Sequence, residues 1–191
     1  MRMIKNNFHV VVKLWLNQFA MMFLGILLLL PAAGMKADWP MLAASLFTVL
    51  FYLALIFWVC CEVGLHDSVA IDSGRMKKNR FKCTVLALVA NLPSLLATVV
   101  ACVSKCFIPG VGFFASAKGA TGAAANVYAV STGINEVLHV MYRGIMLFFD
   151  LDVVPFLYLP IVILSLAACH FGYNAGTEGF LASLLRKKHE D

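Results

Sequence analysis

The chain has 191 residues, of which 62% are hydrophobic and only 13% charged. That leaves too little polar surface to cover a soluble globule, and the length suits one domain. The formal net charge of +5 does not point to nucleic acid, because the basic residues stand beside apolar runs rather than together on a soluble face.

Arg2, Lys5 and Lys13 precede a first charge-free run, Leu14–Met35. This run exceeds the roughly 7–15-residue core of a secretory signal, and it carries Asn17 and Gln18. It is therefore read as a retained span, although Pro31-Ala32-Ala33-Gly34 resembles a cleavage region. No lipid anchor is expected, since Gly does not follow Met1 and neither terminus has a nearby Cys. The next residues, Lys36-Ala37-Asp38-Trp39-Pro40, predict a tight antiparallel hairpin with Trp39 at head-group level and Pro40 in the first turn of the following helix.

Three more runs follow: Met41–Cys61, Cys83–Ser104 and Val153–Thr177. A helix crosses the hydrocarbon core with roughly 20 apolar residues, and it satisfies its own backbone groups where no water can. The expected fold is all-α, an integral membrane bundle of four transmembrane helices in a single domain. The spans cover about 14–35, 41–64, 83–106 and 153–175, with an outer amphipathic or re-entrant helical segment over 108–150.

Eleven of the fifteen Lys and Arg lie in alternate gaps: Arg2, Lys5 and Lys13, then Arg75, Lys77, Lys78, Arg80 and Lys82, then Arg186, Lys187 and Lys188. Only Lys36, Lys105, Lys118 and Arg143 fall to the other side. The positive-inside bias places both termini and the middle loop in the cytoplasm of a cell membrane. That loop, His66–Lys82, carries Asp67 and Asp72 ahead of its basic cluster. It reads as a solvated face, with anionic lipid head groups at residues 75–82 and at the C-terminal tail as the competing partner.

Pro109–Gly133 packs five Gly and seven Ala into 25 residues. Gly119, Gly122 and Ala123 allow either a closely packed re-entrant helix or a flexible outer loop. Over Ile134–Phe149, Glu136, His139 and Arg143 make a narrow polar stripe opposite Ile134, Val137, Leu138, Met141, Ile145 and Phe148. A helix lying in the outer interface fits this pattern. Two further crossings over 113–149 would keep both termini on the same side.

Polar groups inside lipid are costly unless paired, which makes them the first candidates for function. Here they are Asn17, Gln18, Glu62, His66, Asn91, His170 and Asn174, all assigned to the cytoplasmic half. They form a candidate intramembrane polar cluster, with Glu62 and His170 as a proton-responsive pair. The competing reading is interhelical hydrogen bonding, with Glu62 reaching the interface. The exits of spans two and four are alike: Glu62-Val63-Gly64-Leu65-His66 and His170-Phe171-Gly172-Tyr173-Asn174, then Ala175-Gly176. Duplication of a two-helix unit would produce this, as would chance. Pro93, Pro155 and Pro160 can bend their helices.

Cys60, Cys61, Cys83, Cys102, Cys106 and Cys169 make neither a zinc spacing nor CxxC, and they read as small apolar packing residues. A Cys102–Cys106 bridge would be awkward within one helix. There is no GxxxxGK[ST], HExxH, GxSxG or kinase set, and the acidic residues are too sparse for a metal cage. Neither enzymatic activity nor a cofactor or metal is expected.

Phe51-Tyr52, Trp58, Glu62-Val63-Gly64, Asp67 and Gly74-Arg75, followed by Ala90-Asn91-Leu92-Pro93, resemble a family of small polytopic membrane proteins of Gram-positive bacteria. The resemblance covers mainly spans two and three, with weaker agreement at Asn17-Gln18 and Gly172-Tyr173. It implies a bacterial cell membrane and carries no activity; Cys60-Cys61 and Cys83 have no match in it. The sequence thus leads to a non-enzymatic accessory or structural membrane subunit with a membrane-protein partner. The alternative is a small transporter, or the substrate-binding membrane subunit of an energy-coupled importer.

Overall fold

A computed structural model of the chain describes residues 7–35, 39–109, 121–148 and 158–178. Among the described residues there is no strand. The helices are α1 (Phe8–Ala33), α2 (Trp39–Asp72), α3 (Lys82–Ala90), α4 (Leu92–Cys106), α5 (Ala123–Leu138), α6 (Arg143–Phe148) and α7 (Tyr158–Thr177), with a 3-10 turn at Val140–Tyr142. Helices α1, α2 and α7 are each long and apolar enough to cross a membrane. Taken as one span bent by 58°, α3 and α4 supply a fourth.

The bend falls at Asn91. Pro93 has no N–H to continue the ladder of α3, and the bonding resumes with Leu95 N donating to Asn91 O at 3.0 Å. Pro93 therefore does what its position predicts. Pro155 lies outside the described residues, as do the 36–38 turn, Gly119 and the 186–188 tail.

Two helix boundaries differ from the sequence reading. Helix α2 is 34 residues long and runs on through His66–Asp72, which had been assigned to the loop. Nothing in that stretch breaks a helix; Gly74, at φ +72°, ends it. Gly74 N donates to Ile71 O at 2.9 Å and Arg75 N to Ala70 O at 3.0 Å, the two bonds of a Schellman cap.

The second difference concerns the segment read as Ile134–Phe149, whose described residues, 134–148, are not one continuous amphipathic helix. It is divided among the end of α5, the 3-10 turn and α6, because His139 leaves helical geometry (φ −115°, ψ 26°). Its ring turns inward and is only 3% exposed, while Glu136 and Arg143 pair with each other at 3.1 Å on the outside.

The chain forms two compact units, one from residues 1–17, 53–90 and 163–191, the other from 18–52 and 91–162. In the first, α2 and α7 meet backbone to backbone. A Cβ on Gly64 would stand 3.0 Å from Gly176 Cα and nearer still to the Tyr173 carbonyl; one on Gly172 or Gly176 would strike the carbonyls of Phe57 or Cys61. Gly172 and Gly176 are four residues apart, the small-xxx-small spacing that lets helices approach closely. Of the two alike helix exits, Gly64 meets Gly176, whereas its counterpart Gly172 meets Phe57.

In the second unit the segment around Met141 is seated the same way. A Cβ on Gly25 of α1 would lie 3.2 Å from Met141 Cα, and one on Gly144 would strike the Met41 carbonyl of α2. The Ser45 hydroxyl donates to Met141 O. Helices α4 and α5 pack antiparallel, with Ser94, Thr98, Ala101 and Lys105 along the inner face of one and Ser131 and Asn135 along that of the other.

Many large apolar side chains face outward, and short polar residues are among those buried. Phe23, Leu27 and Leu30 of α1 point outward at helical spacing, Leu27 being 68% exposed, as do Phe47 and Leu50 of α2. Ser45, Thr48, Ser94, Thr98, Ser131, Asn135 and Ser165 are buried.

Candidate functional site

Five of the seven sequence-predicted polar residues, Asn17, Glu62, His66, His170 and Asn174, fall in the first unit and two, Gln18 and Asn91, in the second. Gln18 and Asn91 are buried, Asn17 is half-buried and His66 is exposed. The Glu62–His170 pair is not formed. Glu62 Oε2 accepts from Lys13 Nζ of α1 at 2.7 Å, whereas His170 engages Thr84 of α3 and Asn174 of its own helix. Glu62 and His170 leave their helices toward different neighbours, which spacing along a sequence cannot tell.

Around His170 the hydrogen bonds define the tautomer. Asn174 Nδ2 donates to His170 Nε2 at 3.0 Å, so Nδ1 carries the proton and donates to Thr84 Oγ1 at 3.1 Å. The Phe81 ring covers the imidazole at 5.2 Å between centroids. Next to this stands the ionic centre that sequence reading missed. Lys82 Nζ donates to both carboxylate oxygens of Asp67, at 3.0 and 2.7 Å, and Tyr173 Oη donates to Oδ2 at 2.8 Å. The Lys82 and Asp67 side chains are only 9% and 13% exposed. The extension of α2 through residue 72 is what brings Asp67 here, and a loop assignment for 66–82 conceals it. On the more exposed rim, Lys78 pairs with Glu178 at 3.3 Å.

The same unit gathers three thiols. Cys60 of α2, Cys83 of α3 and Cys169 of α7 are all buried. Among the described residues no group of His, Cys, Asp or Glu is arranged to hold a metal ion.

The second unit holds a neutral polar seam that was absent from the sequence candidates. Neighbouring groups orient the Asn135 amide: its Nδ2 donates to Ser94 Oγ and Ser94 O, both at 3.2 Å, and its Oδ1 accepts from Thr98 Oγ1 at 3.1 Å. Ser94 Oγ is 3.4 Å from His139 Nε2, and His139 Nδ1 donates to Asn135 O at 3.2 Å. Burial pushes the imidazole down to about 4, so it is neutral and accepts the Ser94 proton.

A serine hydroxyl on an imidazole whose other nitrogen is held by a carbonyl has the atom order of an activated nucleophile. Ser94 is 1% exposed, however, and Asn135 also occupies its oxygen, so no reacting group can stand beside it. The recess next to His139, bounded by Glu136, Arg143, Met146 and Tyr158, measures about 10 Å³, space for one water. Lys105, fully buried, lies over the Tyr128 ring at 5.5 Å. The missed signal was the stripe Ser94, Thr98, Ala101 and Lys105, at four-, three- and four-residue steps, on a helix whose outer face is Val and Leu.

Helices of this length and polarity, with polar groups turned inward, define an all-helical protein with three, or up to four, potential membrane-crossing segments. No family model matches the sequence, and neither a curated protein nor a solved structure matches it.

Proposed function

We propose that the chain is a multi-pass membrane protein of the cell membrane, with both termini and the basic 75–82 loop in the cytoplasm. Its role is that of a non-enzymatic accessory or structural subunit. The membrane reading is supported by the many large apolar side chains that are exposed while Ser, Thr and Asn are buried. In water that exterior would carry a large unfavourable free energy, whereas in hydrocarbon it matches its surroundings. The orientation rests on the eleven-to-four division of Lys and Arg.

The single observation that carries the accessory role is how the buried polar groups are used. Asn135, Ser94, Thr98 and His139 satisfy one another, and Asp67, Lys82 and Tyr173 do likewise. Such groups hold helices together rather than awaiting a solute. Partner capture tests this: a chromosomally tagged chain, solubilised in mild detergent, co-purifies with a stoichiometric membrane-protein partner. Saturable solute uptake by proteoliposomes containing the purified chain alone would contradict it.

The break at Asn91 favours a second reading, since interrupted helices line the binding sites of transporters. Under that reading, the uptake assay is positive and depends on Asn91.

A further inference from the structure

We infer that the groove beside the Lys13–Glu62 ion pair binds a zwitterionic aminophospholipid, with its phosphate on Lys13 and its ammonium on Glu62. The inference rests on the membrane reading above and is independent of the accessory role. Lys13 Nζ stands 2.7 Å from Glu62 Oε2, and the two side chains are 51% and 48% exposed. These residues bound two apolar runs: Lys13 immediately precedes Leu14–Met35, and Glu62 immediately follows Met41–Cys61. The pair therefore lies where hydrocarbon gives way to head groups.

A groove of about 190 Å³ opens alongside, lined by Trp58, Cys61, Glu62 and Leu65. Trp58, Glu62 and Leu65 share one face of α2 at four- and three-residue steps. Trp58 is one turn closer than Glu62 to the middle of the apolar run. An apolar wall on the hydrocarbon side and a charged rim beyond it reproduce the order of polarity along a phospholipid.

Charge complementarity selects the head group. An exposed ion pair is weak and readily exchanges partners. A phosphate can take Lys13 while a primary ammonium takes Glu62, so both protein charges stay neutralised. An anionic lipid would satisfy Lys13 but confront the Glu62 carboxylate. A choline head group brings the right charges and no N–H to donate to that carboxylate.

Trp58 supplies the readout once Trp15 and Trp39 are changed to Phe. This single-Trp protein is reconstituted into vesicles in which one lipid carries brominated acyl chains that quench tryptophan. Brominated phosphatidylethanolamine should bind beside Trp58 about threefold more strongly than brominated phosphatidylcholine, the effect of an exposed charge pair. Brominated phosphatidylglycerol should do no better than phosphatidylcholine.

In Glu62→Gln, phosphatidylethanolamine should fall to parity with phosphatidylcholine, and phosphatidylglycerol should rise above both. Circular dichroism of this surface variant checks that it is folded. Equal quenching by the two zwitterionic lipids in the parent protein would overturn the inference. So would a preference for phosphatidylglycerol, or a preference for phosphatidylethanolamine that survives Glu62→Gln. Absence of quenching by any lipid would overturn the membrane reading itself, a different and recognisable result.

Discussion

In the unit built on residues 7–17, 53–90 and 163–178, three ion pairs, Asp67–Lys82, Glu62–Lys13 and Lys78–Glu178, stand beside the neutral bonds of His170 to Thr84 and Asn174. In the unit built on residues 18–52 and 91–148, the buried contacts of Ser45, Ser94, Thr98, Asn135 and His139 are neutral. Both rely on glycine to bring backbones together. They differ in where charge stands relative to the apolar runs. Asp67 and Lys82 lie beyond the apolar stretches, with side chains only 13% and 9% exposed. Asn135 and Ser94 lie between helices and are satisfied by neutral partners, while Lys105, further along the same face of α4, is buried over the Tyr128 ring.

The contrast is broken most strongly at Asp67. Asp67→Ala leaves Lys82 and Tyr173 without their acceptor in a nearly dry site and should lower stability by about 3–5 kcal/mol, measured by unfolding in mixed micelles. Replacing both members, as Asp67→Leu with Lys82→Met, should recover most of that loss, because no buried charge then remains unpaired.

Acid should act on the other unit. The folded-state pKa of His139, about 4, lies below its unfolded value of about 6.5. The unfolded chain therefore binds more protons between these limits. Stability should be complete above pH 6.5 and fall as pH drops toward 4, by on the order of 3 kcal/mol. Unfolding free energies measured from pH 7 to pH 4 should show this decline in the parent protein and a shallower one in His139→Asn.

Glycine substitutions sharpen the packing side of the comparison. Gly176→Ala places a methyl against the Cys61 carbonyl and should cost about 1–3 kcal/mol. Gly133, inside α5 with open space where a Cβ would go, should respond in the opposite direction: Gly133→Ala should stabilise by about 0.5–1 kcal/mol. Thermal unfolding in one detergent ranks the two variants. The smallest effect is expected at Glu62. Its pair with Lys13 is about half exposed, so Glu62→Gln should change stability by less than about 1 kcal/mol.

Much of the architecture is legible in the sequence because length and apolarity alone decide it. Leu14–Met35 and Met41–Cys61 lie almost wholly within α1 and α2, and Asn91 with Pro93 marks the break between α3 and α4. The site is far less legible. His170 and Asn174 do meet, being four residues apart on one helix, but Glu62 finds Lys13, a partner 49 residues distant that no local pattern indicates. Asp67 was overlooked because a polar, basic stretch resembles a loop, when only Gly74 ends the helix. Asn135 and Ser94 were overlooked because short polar residues among Ala, Val and Leu reveal their role only when two helices face each other.

The proposal under test is that the buried polar residues hold helices together and do not line an aqueous path. Water access to the α4–α5 seam tests it most directly. In a background with the six native cysteines replaced, Ser94→Cys and Thr98→Cys are treated in native membranes with a charged, membrane-impermeant thiol reagent, applied from each side in turn. The account predicts no modification of either position while the protein is folded and complete modification after denaturation. Rapid labelling of position 94 or 98 in the folded protein, from either side, would contradict it.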